Sequence, residues 1–115
     1  MIMRKIESQM LAAVRSRRDW KNGNTSVHNS EHGVVIRLHG SKIALLNDHH
    51  NKLIITDAGY QTNTTKSRLN ALLGEFCFGH RIQAINFDWF LVNKYDKENA
   101  PIAIEEKQAY PVELG

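Results

Sequence analysis

Two apolar runs, Val34-Val35-Ile36-Arg37-Leu38-His39 and Lys42-Ile43-Ala44-Leu45-Leu46-Asn47, stand on either side of Gly40-Ser41. Runs of this kind around a two-residue spacer with glycine at its first position specify a β-hairpin closed by a type II′ turn, whose twist matches that of the strands. Such a loop sets His39 opposite Lys42, Leu38 opposite Ile43, Arg37 opposite Ala44 and Ile36 opposite Leu45. One face is then Val34, Ile36, Leu38, Ile43 and Leu45, and the other carries Val35, Arg37, His39, Lys42, Ala44 and Leu46. A sheet face as apolar as the first must be covered, so the hairpin demands helices or a second sheet from the rest of the chain.

Two stretches supply helices. In residues 2–18, Ile2, Ile6, Met10, Ala13 and Val14 recur at three- and four-residue spacing, with Arg4, Lys5, Glu7, Gln9 and Arg15 on other faces. Arg17 and Arg18 close this helix, where cations suit the C-terminal dipole. In the second, over about 65–78, Leu69, Leu72, Leu73 and Phe76 form the apolar stripe. Thr64 or Thr65 is the expected cap, and Gly79 the expected left-handed stop.

Between and after the helices the pattern is that of strands. Trp20-Lys21-Asn22-Gly23-Asn24 reads as a turn, Thr25 to Asn29 is compatible with a short strand, and Lys52 to Asp57 is the third member of a meander. Ile82 to Asn93 reads as one long strand, half-buried or central in the sheet. Pro101 and Pro111 exclude a helix through either point, Ile102 and Ile104 suit a short edge strand, and the last residues are expected to be mobile. The expected fold is an α+β two-layer sandwich: a mostly antiparallel meander with two helices on one face, in the order α-(β)-β-β-β-α-β. Residues 1–95 form the single domain and 96–115 an extended tail. The outer sheet face is left partly apolar at Val35, Leu46, Leu53 and Ile55, open to the tail, a partner or a second copy.

The second helix begins unusually. Thr62, Asn63, Thr64, Thr65, Lys66, Ser67 and Arg68 precede or open it without one acidic residue. A helix start is electropositive and normally draws carboxylates; cations and hydroxyls there compose an anion-binding N-terminus. Charge along the chain is uneven in the same sense. Residues 1–21 carry six basic and two acidic residues, a net +4, whereas residues 94–115 carry three and five, a net −2. With a pI near 9.2, the basic front favours a polyanionic partner. Candidate phosphate contacts are therefore Thr64, Thr65, Lys66, Ser67 and Arg68, with Arg15, Arg17 and Arg18 from the first helix and Arg37, His39 and Lys42 from the hairpin. Tyr60 and Trp20 are candidates for stacking on bases. The ordinary alternative is a capped turn beside a solvated basic surface.

Catalytic signatures are sparse. Asp57 and Asp88 with Glu105-Glu106-Lys107 resemble the carboxylates of a metal-dependent nuclease only superficially, because the companion Pro-Asp strand is missing. The six histidines, His28, His32, His39, His49, His50 and His80, lack the spacing that converges ligands on zinc. The single cysteine, Cys77, excludes an internal disulfide and reads as a small buried apolar group. No nucleotide-binding or nucleophile-elbow motif occurs. The expectation is a non-enzymatic protein with no metal and no cofactor, and a reducing cytoplasm as its place. No run approaches a membrane span, and the N-terminus lacks the apolar core of a signal peptide.

Three segments carry a resemblance. Asn24-Thr25-Ser26-Val27, the stretch RLHGSKIA at 37–44 and the stretch AGYQTNTTKSRLNALL at 58–73 resemble a pattern in small proteins of tailed bacteriophages and marine phage metagenomes, over about the first two-thirds of the chain. The resemblance implies a virus-encoded protein acting in the cytoplasm of an infected bacterium, and it assigns no catalytic residue. The element order is also similar to that of double-stranded RNA-binding domains, α-β-β-β-α with cations at the second helix start; the strand at 82–93 and the lack of clustered lysines depart from that family. Three functions follow: a nucleic-acid-binding protein without strong sequence preference, a host-takeover or counter-defence protein that binds a bacterial protein through the outer sheet face, and a metal-dependent nuclease as the weakest.

Overall fold

A computed structural model describes residues 4–115. Among these the chain runs α1 (Lys5–Arg15), β1 (Trp20–Asn22), β2 (Thr25–Ser30), β3 (Gly33–Leu38), β4 (Ser41–Asn47), β5 (Lys52–Thr56), α2 (Asn63–Phe76), β6 (His80–Ile85), β7 (Asp88–Asn93), β8 (Ile102–Ala103) and β9 (Ala109–Glu113). The strands form two open antiparallel sheets, one of six strands ordered β1-β2-β3-β4-β5-β9 and one of three ordered β6-β7-β8. Both helices cover the same face of the larger sheet, and the fold is the α+β sandwich that the sequence predicts.

The core is made by that covered face. Val27, Val34, Ile36, Leu46, Leu53, Ile55 and Val112 from the sheet meet Met10, Leu11 and Val14 of α1 and Leu69, Leu72 and Leu73 of α2. Two full stripes explain why both helices lie flat on the sheet. Of the expected stripe on α1, Ile2 lies outside the described residues and Ile6 is half-buried. The smaller sheet sits beside α2, tied to it by Asn70, whose Oδ1 accepts from the Ile82 N–H at 2.6 Å while its Nδ2 donates to the Ile82 carbonyl at 3.1 Å.

Several expectations are corrected. The β3–β4 loop is His39-Gly40, both left-handed at φ 51° and 81°, not Gly40-Ser41. Leu38 faces Ser41, Arg37 faces Lys42 and Ile36 faces Ala44, with Ile43 left over as a bulge. Because a bulge turns two successive residues to one side, Ile43 and Ala44 are both buried, and every later residue of β4 changes face. Leu46, Leu53 and Ile55 therefore belong to the core, and the outer row reads His28, Val35, Leu45, Ile54, Pro111. The long strand at 82–93 is two strands, β6 and β7, hinged at Asn86 and Phe87 with φ of 51° and 72°. Residues 20–22, read as turn, form the edge strand β1, because the turn at Gly23 returns the chain antiparallel onto Thr25–Val27. The segment expected to be an extended tail supplies β8 and β9, and β9 pairs along β5 from Thr56–Ala109 to Lys52–Glu113.

Candidate functional site

The start of α2 is capped by Thr62, two or three residues before the expected Thr64 or Thr65. Thr62, extended at φ −103°, accepts the Thr65 N–H on Oγ1 at 3.1 Å, and the Thr65 hydroxyl lies 3.0 Å from the same oxygen. Thr64 and Thr65 are thus inside the helix, and Thr65 is buried. Gly79, expected to stop α2, instead turns the chain from Cys77 to His80, whose N–H donates to the Cys77 carbonyl at 3.0 Å.

The acid missing from the first turn of this helix arrives from α1. Glu7 and Arg68 are buried together, with Arg68 Nη1 2.7 Å from Glu7 Oε2. The Ser67 hydroxyl donates to the same carboxylate oxygen at 2.6 Å. The guanidinium is extended on its other side by Nε to Thr25 Oγ1 at 3.0 Å, and that hydroxyl donates to Asn24 Oδ1 at 2.8 Å. Here is the physical reason for cations at an electropositive helix start: two of the candidate phosphate contacts, Ser67 and Arg68, join α2 to α1 and β2 and are withdrawn from solvent anions.

Two more candidates form ion pairs at the surface. Arg15 pairs with Glu75 at 3.0 Å. Arg17, left-handed at φ 54° just past α1, donates to the Val14 and Arg15 carbonyls and grips Asp48 at 2.6 Å. Lys66 is half-buried, and Arg18 is exposed.

Two further candidates, Arg37 and Lys42, lie on the outer face of the six-stranded sheet. Lys21 is opposite Ser26, Ser26 opposite Arg37 and Arg37 opposite Lys42. Cross-strand partners share a face, so Lys21, Arg37 and Lys42 form one row over β1 to β4, about 14 Å across at the usual strand spacing of about 4.8 Å. Lys21 and Lys42 are exposed and Arg37 half-buried, and none of the three takes part in an ion pair among the described residues. Sequence reasoning named Arg37 and Lys42 as phosphate contacts but read Lys21 as part of a turn. Its signal was the Asn22-Gly23 turn, which places 20–22 beside 25–27.

The rest of the candidate set meets at a cavity of about 360 Å³ between the hairpin tip and α2. Leu38 and Ile43 line it together with His39, Tyr60, Thr62, Thr64 and Thr65. Asp57 also borders it but is fully buried and spent: its Oδ1 accepts from the Gly59 N–H at 2.7 Å and the Lys107 N–H at 2.8 Å, and its Oδ2 from Gln61 Nε2 at 3.0 Å. The carboxylate fastens the β8–β9 connection to the β5–α2 loop. Trp20 packs partly buried against the core, which leaves Tyr60, 59% exposed, as the stacking candidate of that pair.

Among the described residues no three His, Cys, Asp or Glu side chains converge as a metal site. Burial pushes the Cys77 thiol up to about 11, so at neutral pH it carries no thiolate nucleophile. No helix among the described residues is long and apolar enough to cross a membrane.

No curated protein and no solved structure matches the chain. A family model does, over residues 3–108, nearly the whole chain and well beyond the segments that carry the phage resemblance. The chain belongs to the Kyanoviridae Gp96 protein family, a family of bacteriophage proteins.

Proposed function

We propose that this phage protein binds nucleic acid through its phosphates, without strong sequence preference, on the outer face of the six-stranded sheet. The observation that carries the reading is the row Lys21, Arg37, Lys42: three cations aligned across four strands with no acidic partner among the described residues. Ser26, half-buried between Lys21 and Arg37 in the same row, adds a hydroxyl of the kind that contacts phosphate oxygens. Lysine, arginine and hydroxyl groups spread over a sheet face suit phosphate oxygens, so affinity comes from counterion release and carries little sequence information.

The test is a salt titration of binding to labelled DNA and RNA by fluorescence anisotropy. Replacing Lys21, Arg37 and Lys42 together by alanine is expected to lower the slope of log affinity against log salt by roughly two to three, about one per lost phosphate contact. An unchanged affinity and slope in the triple variant would overturn the assignment. All three side chains lie on the uncovered face, so the variant keeps its core.

A second reading has its own observation. Next to the cationic row runs the apolar row Val35, Leu45, Ile54, Pro111, with Leu45 and Ile54 half-exposed and Pro111 exposed. Such a strip suits a bacterial host protein bound through a salt-insensitive contact. A complex recovered from bacterial lysate that withstands high salt and is lost on Leu45→Glu would favour this reading over phosphate binding.

A further inference from the structure

Two exposed aromatic rings stand outside every element of the core. Phe78, in the turn after α2, and Tyr95, just past β7, are 65% and 61% exposed. Their centroids are 5.5 Å apart with planes inclined by 25°, an offset stack. Lys94 Nζ lies over both rings, 5.0 Å from the Tyr95 centroid and 5.8 Å from that of Phe78.

The pair is held, not merely displayed. Gly79 is left-handed at φ +90°, and a Cβ on it would fall 2.6 Å from the Tyr95 ring. Only glycine lets the ring lie against this backbone. The Lys94 N–H donates to the Gly79 carbonyl at 3.0 Å, and the Tyr95 N–H donates to Asn93 Oδ1 at 3.0 Å. The turn after α2 and the end of β7 are therefore joined in the orientation that aligns the rings, while most of each ring stays in water.

We propose that Phe78 and Tyr95 form a stacking platform for unpaired bases, with Lys94 on the accompanying phosphate, so that single-stranded nucleic acid is the ligand class. This rests on the nucleic-acid reading above and narrows it. Stacking accepts any base because every base has a π face. Bases inside a duplex have both faces covered and gain nothing from the platform. The surroundings argue against a protein partner here: Asn93, Lys94, Asp96 and Lys97 are all polar, and the two rings are too small an apolar area to seed a stable protein interface. Asp96 and Lys97 also leave the local charge nearly balanced, so this component of binding persists at salt concentrations that erase the cationic row.

The experiment compares wild type, the Phe78→Ala/Tyr95→Ala variant and Tyr95→Phe on labelled oligo-dT, a single-stranded RNA and duplex DNA, each at low and high salt. Expected is a loss of roughly ten- to a hundredfold in single-strand affinity for the double variant, an unchanged salt slope, unchanged duplex binding and retention by Tyr95→Phe. Equal affinity of the double variant and wild type for single strands, with wild type binding well, would overturn the platform alone. An equal loss on single strands and duplex would overturn it too. Absence of nucleic-acid binding by wild type would remove the phosphate reading and the platform together. Both rings are exposed, so an unaltered far-ultraviolet circular dichroism spectrum of the double variant certifies the comparison.

Discussion

Glu7 and Arg68 are the residues on which the two helices agree about their position. Their charges are almost fully removed from water, a cost offset only because each finds the other and both are extended by Ser67, Thr25 and Asn24. Removing one partner strands the other: Arg68→Met is expected to cost about 3–5 kcal/mol in urea denaturation. The paired replacement Glu7→Met/Arg68→Met is expected to recover most of that, and a double variant no more stable than Arg68→Met would refute the coupling. None of this was legible in the chain. The partners are 61 residues apart, and helical periodicity assigned Glu7 to the solvated side of α1. A charged residue at the border of an apolar stripe gives no sign of whether a partner from another element awaits it. The positively charged opening of α2 was visible, and its most economical meaning, an external anion, was the wrong one for Arg68 because the anion is internal.

Among the elements, the helices and the β3–β4 hairpin were readable because each rests on a repeated local signal. Registers were not. Gly40 serves equally as the first residue of a Gly40-Ser41 loop or the second of a His39-Gly40 loop, and the bulge at Ile43 lets either satisfy the apolar pattern near the turn. The choice is made farther off, where Leu46 must meet Leu53 in the core. The run 82–93 failed for a related reason: Asn86 and Phe87 form a turn without glycine or proline, and Phe87, at 99% exposure, looks in sequence like a core residue. The glycine that binds the hairpins into one sheet is Gly33, at φ +131° with space for a Cβ only 2.3 Å from the Leu46 carbonyl oxygen. Gly33→Ala is expected to lower stability by at least about 2 kcal/mol, since both the backbone conformation and the contact are denied to alanine. Gly23→Ala, left-handed but in open space, is the control and is expected to cost about 1 kcal/mol. Equal midpoints for the two in chemical denaturation would refute the argument.

At the scale of the whole molecule, the six-stranded sheet is assembled from unequal parts. Strands β1 to β5 each pair with a neighbour in sequence, whereas β9 reaches β5 only after the chain has made α2 and the smaller sheet, joining Thr56 to Ala109. Charge asymmetry announced a basic front and an acidic end, yet the acidic end is woven into the fold: Lys52 is bridged to Glu113, and Val112 is buried. Short strands with a proline in one of them give little pattern to read, and Pro111 is tolerated because an edge strand does without one ladder donor. The candidate surface follows the same rule. Its residues are scattered from 21 to 42, and only strand order brings them into line.

That unequal assembly sets an order in time. Pairing across a long excursion must first overcome loop-closure entropy, while the meander pairs through turns of a few residues. The β1–β5 meander is thus expected to form early and β9 to dock late. Val112→Ala should accelerate unfolding while leaving the refolding rate nearly unchanged in stopped-flow measurements, and a slowed refolding limb would reverse the order. Until β9 arrives, β5 presents an open edge lined by Leu53 and Ile55, ready to recruit a strand from another chain. The proline at the end of the sequence closes that interval: once docked, β9 replaces a templating edge with one that is missing a donor at its centre. On that order, the chain is most exposed to misassociation while β9 has yet to land.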